Sequence, residues 1–170
     1  MLKVSDVRLT RSTIITGVAG LVLLATIPSA IQDTFATGRI YLFSPEFLAD
    51  IPARLTGPGR LRFILQPTVA IILGLLGGLA DARAGRPPYL MGLLFHPSHR
   101  REYVRTGLST VRDLVAFGII LDVVAQLLIF RQVHPGAALV VGPVLIATPY
   151  SLARGLTNRV AQLVGRGTSP

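Results

Sequence analysis

Cysteine is absent from the 170 residues, which excludes disulfides, thiolate metal ligands and cysteine nucleophiles. Tryptophan is absent too, leaving Tyr41, Tyr89, Tyr103 and Tyr150 as candidate aromatic anchors at a membrane interface. Lys3 is the only lysine, and acids are scarce, with 8 Asp and Glu against 17 Lys and Arg. Charge is thin overall, at 15%, and over long runs it vanishes. Residues 12–32, 63–80 and 132–153 carry no Asp, Glu, Lys or Arg. Each run is close to the roughly 20 residues that cross about 30 Å of hydrocarbon. A fourth apolar run, residues 114–130, is interrupted by one acid, Asp122.

What fills the chain instead is hydrophobicity. It is 51% hydrophobic, with a mean hydropathy of +0.59, too apolar for a soluble domain. The net charge of +9 does not read as nucleic-acid binding, because the arginines flank the apolar blocks as topology signals do. The expectation is an all-α integral membrane protein, a four-transmembrane-helix bundle with short interfacial helices. It forms one membrane domain, residues 1–170, with spans at about 12–32, 63–80, 114–130 and 136–153. Spans and connections use up these residues and leave none for a separate soluble domain. The basic leader, the first apolar block and Pro28-Ser29-Ala30 also have the outline of a secretory signal peptide. That block is long for a signal core, so a retained first span is expected. With both termini cytoplasmic, the inner segments hold 12 Lys and Arg and the outer segments hold 5, the asymmetry of a positive-inside protein.

The connections have local signals. Ser44-Pro45-Glu46 reads as a helix start, with Ser as N-cap and Pro at the first helical position. Phe47, Leu48, Ile51 and Leu55 then share a face suited to an interfacial helix, weakened by Pro52 and ended by Gly57-Pro58-Gly59. In the second span Ala70, Gly74, Gly78 and Ala82 recur every four residues. That is a small-residue face for close helix packing, against the first or fourth span or against another protein. Pro87-Pro88 stiffens the start of the large basic connection, and the apolar run from Tyr89 to Phe95 is too short to span. Beyond it Arg101, Arg105 and Arg112 fall on one helical face, placed to meet anionic lipid headgroups.

Asp122 is the strongest chemical signal. A carboxylate deep in a bilayer costs several kcal/mol unless it is protonated, paired or hydrated. Gln126 lies one turn along the same helix face. Folding the last two spans about their short turn puts Asp122 near the depth of Ile146, give or take a turn, with Tyr150 among the nearest polar groups. The expectation is an intramembrane polar network of Asp122, Gln126 and Tyr150. The alternative is a titrating carboxylate in a transport path.

Other groupings are weaker. His96, His99 and Glu102 have a turn-spaced His and carboxylate, but Arg100 and Arg101 would repel a metal ion, so no metal site is expected. His134 stands at the turn between the last two spans, and no histidine lies well inside a span, so no haem or other cofactor is expected. Ser151 has no base beside it. Arg154 reads as a topology anchor at the end of the fourth span, within reach of Asp81 or Asp113 as a surface pair.

The runs DARAGRPPYL, LDVVAQ and PYSLARGLTNR resemble a family of small, uncharacterised bacterial four-span membrane proteins, over roughly residues 63–160. The resemblance implies a bacterial inner-membrane setting and carries no catalytic residue or substrate. The functional expectation is a non-enzymatic accessory or scaffold subunit of a larger membrane complex, in contact with membrane lipids and with a membrane-protein partner or further copies of itself. The alternative is a small proton- or ion-coupled transporter or channel, acting as an oligomer, with Asp122 titrating. A lipid-processing enzyme using His96, His99 and Glu102 is the weakest reading.

Overall fold

The computed structural model describes residues 10–95 and 97–167. Within them the chain forms α1 (Arg11–Thr37), a 3-10 turn (Tyr41–Phe43), α2 (Pro45–Ala49), α3 (Ile51–Thr56), α4 (Arg62–Arg83), α5 (Tyr89–Phe95), α6 (Pro97–Phe130) and α7 (Pro135–Gly167). Among the described residues there is no strand. Helices α1, α4, α6 and α7 are long and apolar enough to cross a membrane, which makes this a multi-pass membrane protein by length and composition.

Capping sets several of the boundaries. Thr10 accepts the amide of Thr13 at the start of α1, and Gly38, at φ +66°, closes it in the left-handed conformation that glycine tolerates best. Ser44 caps α2 through the amide of Phe47, with Pro45 at the first helical position. The single interfacial helix expected there is two short ones, broken at Asp50. Pro52 has no amide hydrogen to donate back into α2, so it opens α3 instead. Helices α6 and α7 run 34 and 33 residues, about 50 Å each at 1.5 Å per residue. Both therefore project past a hydrocarbon layer of about 30 Å, at the end away from their shared turn.

Helices α6 and α7 form a hairpin closed by Arg131, at φ +56°, and residues 132–134. Asp33 at the end of α1 lies beside His134 in this hairpin turn, and Ser12 at the start of α1 meets Asp113 on α6. The bundle thus has a hairpin end, which also carries α2 and α3, and a far end where α1 starts, α4 stops and α7 runs out.

The closest pairing is between α4 and α7, which run in the same direction. Residues Arg62, Gln66, Ala70, Gly74 and Gly78 form the buried face of α4, one every fourth position. A Cβ on Gly74 would sit 2.6 Å from the Tyr150 carbonyl oxygen, and one on Gly78 would sit 2.5 Å from that of Arg154. The small-residue face therefore packs on the fourth span, with Ala82 half-buried where the contact ends. Helices α6 and α7 come nearly as close where Gly118 meets Gly142. Helix α1 leans on α6 and more lightly on α7, through Val22 and Leu23, and buries only Ala19 along its length.

Candidate functional site

Three elements converge on Asp122. Helix α6 carries it, α3 supplies Arg54 and the first residue of α4 is Arg62. The Gly57-Pro58-Gly59 turn makes this possible. Gly59 has φ +83° and lies where a side chain would crowd Ala125, and a Cβ on Gly57 would strike the Ala53 carbonyl and Ile129. Reversing the chain so tightly against α6 brings both arginines to one carboxylate.

That carboxylate is fully buried, at 0% exposure. Arg54 Nη1 lies 3.2 Å from Oδ1 and 3.4 Å from Oδ2. Arg62 Nη1 lies 2.6 Å from Oδ1, an ion pair by distance without the alignment of a hydrogen bond. Gln126 Nε2 donates to Oδ2 at 2.6 Å, and its Oε1 accepts the His134 amide at 2.8 Å. Gln126 thus ties the carboxylate to the hairpin turn.

Aromatic rings enclose the cations. Arg54 Cζ is 5.2 Å from the Phe130 centroid and 5.8 Å from that of Phe47, and Arg62 Cζ is 4.8 Å from that of Phe63. Toward the surface, Arg54 Nη2 donates to the Tyr41 hydroxyl at 3.3 Å, and that hydroxyl donates to Asp50 Oδ2 at 2.7 Å. The Tyr41 ring stacks on His134 with centroids 3.6 Å apart and planes at 10°. Asp33, Arg39, Tyr41, Glu46, Asp50 and His134 line an open cleft of about 360 Å³ above it. Burial pushes the Tyr41 hydroxyl up to about 12, with Asp50 adding to the rise and Arg54 opposing it.

Burial also holds His134 below its ordinary 6.5, outweighing Asp33, whose Oδ2 is 3.6 Å from Nδ1; Arg54 adds to the depression and Asp50 opposes it. The folded chain therefore takes up this proton less readily than the unfolded chain. Above the unfolded value the group adds no pH dependence. As pH falls below about 6.5 stability falls, until the folded value is passed. Thermal unfolding between about pH 7.5 and 5.5 is expected to show this slope, and His134→Gln to remove it. A slope of the same size in the variant would place its origin elsewhere.

A second buried pair lies toward the far end. Arg154 on α7 grips Asp81 on α4 through both oxygens, Nε to Oδ2 at 2.6 Å and Nη2 to Oδ1 at 3.0 Å. Its Nη1 donates to the Tyr150 hydroxyl at 2.8 Å, and its Cζ lies 4.4 Å from the Tyr89 centroid. Both side chains are 3% exposed, so the pair is internal and not the surface contact expected from sequence. Asp113 pairs instead with Arg112 and Ser12.

The expected trio of Asp122, Gln126 and Tyr150 therefore divides. Asp122 and Gln126 are bonded to each other, while Tyr150 serves Arg154. The reason is register. Gly118 meets Gly142, which puts Asp122 one turn nearer the hairpin and Tyr150 two turns farther from it. Arg101, Arg105 and Arg112 are all exposed on the projecting part of α6. His96 and the side chain of His99 lie outside the described residues, and Glu102 is exposed, 3.9 Å from Arg86. Among the described residues no three His, Cys, Asp or Glu side chains are grouped to hold a metal ion.

In the sequence Arg54 and Arg62 stand out only as two of the five basic residues of the outer segments. One signal for Arg62 was available. Extending the four-residue ladder of Ala70 and Gly74 back by two steps reaches Gln66 and Arg62. Arg54 has no such signal, because its position depends on how the turn at Gly57 closes.

The chain is thus a multi-pass helical membrane protein with two internal arginine–aspartate clamps, one in each half of the bundle. Compared with protein-family models, curated proteins and solved structures, it matches none. The family resemblance of DARAGRPPYL, LDVVAQ and PYSLARGLTNR rests on those runs alone.

Proposed function

We propose that this protein is a non-enzymatic accessory or scaffold subunit of a larger membrane complex, in a bacterial inner membrane with both termini cytoplasmic. The observation that carries the reading is the state of Asp122. Both of its oxygens are engaged, by two guanidiniums and an amide, in a site without exposure. That is the arrangement of a structural clamp, and any proton or ion taken up by this carboxylate would have to displace one of these partners. The excess of arginine at the far end supports the orientation, and the exposed Arg101, Arg105 and Arg112 suit anionic headgroups there. Helix α1, with only Ala19 buried, is the span most open to a partner helix or a second copy.

Gentle extraction from the native membrane, followed by native mass determination, tests this. A stable complex with a defined second protein is the expected result. A lone monomer or homo-oligomer sinks the subunit reading. A second reading, proton- or ion-coupled transport by an oligomer, is favoured by one feature. The hydrogen bonds from Asp50 through Tyr41 to Arg54 connect an open cleft with Asp122. Flux through proteoliposomes that Asp122→Asn abolishes in a folded protein would establish it.

A further inference from the structure

The interior near the hairpin end holds an imbalance. Among the described residues two guanidiniums share one carboxylate at ion-pair distance, with Asp50 reaching Arg54 only through the Tyr41 hydroxyl. Arg62 is 5% exposed, yet its Nε and Nη2 have no partner. Gln66, one turn along α4 and 4% exposed, has neither amide atom bonded. Unpaired polar groups at such depth cost free energy unless something satisfies them.

The stems of these same two residues line a groove of about 260 Å³ between α4 and α6. Its other walls are apolar, chiefly Leu61, Leu65, Leu121, Val124 and Leu128, all facing outward. Gly59, lacking a side chain, also lines it. At this size, below the 300–1,000 Å³ typical of small-molecule pockets, and with outward-facing walls, the groove can take part of one extended chain lying along the bundle surface.

We propose that this groove binds a single-chain anionic amphiphile of the fatty-acid class. Its carboxylate meets the free donors of Arg62 and Gln66, and its acyl chain lies along Leu65, Leu121 and Val124. A planar carboxylate matches the guanidinium fork, and its charge offsets that of Arg62. The pairing around Asp122 allows the exchange. When Arg62 turns its fork toward the groove, Asp122 keeps Arg54 and Gln126. Arg62 leaves its 2.6 Å contact with Asp122 to do so, and the ligand carboxylate replaces Asp122 on its fork.

The test is equilibrium binding of palmitate to the full chain in phosphatidylcholine nanodiscs, against hexadecanol, which has the same tail without the charge. Palmitate is expected to bind one per chain, at least tenfold tighter than hexadecanol. Arg62→Gln is expected to lose at least tenfold in palmitate affinity and little for hexadecanol. Val124→Trp fills the groove from a side chain 45% exposed, and it is expected to abolish both. It also carries the test should Arg62→Gln not fold. Equal affinity for the two probes, or palmitate uptake untouched by Val124→Trp, would mean partition into lipid only and overturns the proposal.

Discussion

Asp122→Ala is expected to destabilise the bundle by about 3–5 kcal/mol, the usual cost of removing one partner from a buried ion pair. Among the described residues Asp122 is the one carboxylate within ion-pair distance of Arg54 or Arg62. Its loss leaves two cations at 2% and 3% side-chain exposure with only the Tyr41 hydroxyl as an acceptor. It also releases Gln126, and with it the bond to the His134 amide that fastens the hairpin turn. Asp122→Asn should fall in the same direction, because the amide restores shape but not charge. Thermal unfolding in detergent reads the size of the effect, and protease cleavage between α2 and α4 reads its place. The companion variant is more telling. Asp122→Leu combined with Arg54→Met and Arg62→Met should recover much of the loss, since a buried ionic set replaced by apolar side chains is often neutral or better. Wild-type stability in Asp122→Ala would show that the clamp does not hold the hairpin end.

The parts of this molecule legible in sequence are those set by local pattern. Uncharged runs mark three of the four spans, because a charge facing hydrocarbon has nothing to solvate or pair it. Ser44 and Pro45 mark the start of α2, because capping is a contact between near neighbours. The close face of α4 is visible as a four-residue repeat, because helix geometry converts spacing into direction. The centre of the candidate site is of another kind. Asp122 and Gln126 are neighbours on one helix and could be paired from spacing. Arg54 is 68 residues from Asp122, and the two meet only because the chain reverses at Gly57 and Gly59. Tyr150 shows the converse error. A pairing guessed from the length of the hairpin turn misses by two turns when the crossing of Gly118 and Gly142 sets the register.

The Gly118–Gly142 crossing has a larger counterpart in the α4–α7 contact, where the second large effect is expected. In Gly78→Ala the new methyl would lie 2.5 Å from the Arg154 carbonyl oxygen, 2.8 Å from Thr157 Cβ and 3.1 Å from the Asn158 nitrogen. In Gly74→Ala it would lie 2.6 Å from the Tyr150 carbonyl oxygen and 2.9 Å from Ala153 Cβ. Two of these obstacles at Gly78 are backbone atoms of α7, which move only if the helix moves. Each substitution should therefore cost about 1–3 kcal/mol, the usual range for overpacking. The damage should also spread. Arg154 reaches across this contact to Asp81, so parting the helices lengthens both of its bonds to the carboxylate. Because one displacement of α7 relieves both clashes, the double variant should lose less than the sum of the single losses. Gly17→Ala and Gly20→Ala are the controls. Neither position has an atom within 4 Å of the added carbon, and alanine favours a helix over glycine by up to about 1 kcal/mol. Those two should be neutral or slightly stabilising in thermal unfolding. If Gly78→Ala matched them, α4 and α7 would not be packed at this distance, and the buried Arg154–Asp81 pair would lose its geometric basis.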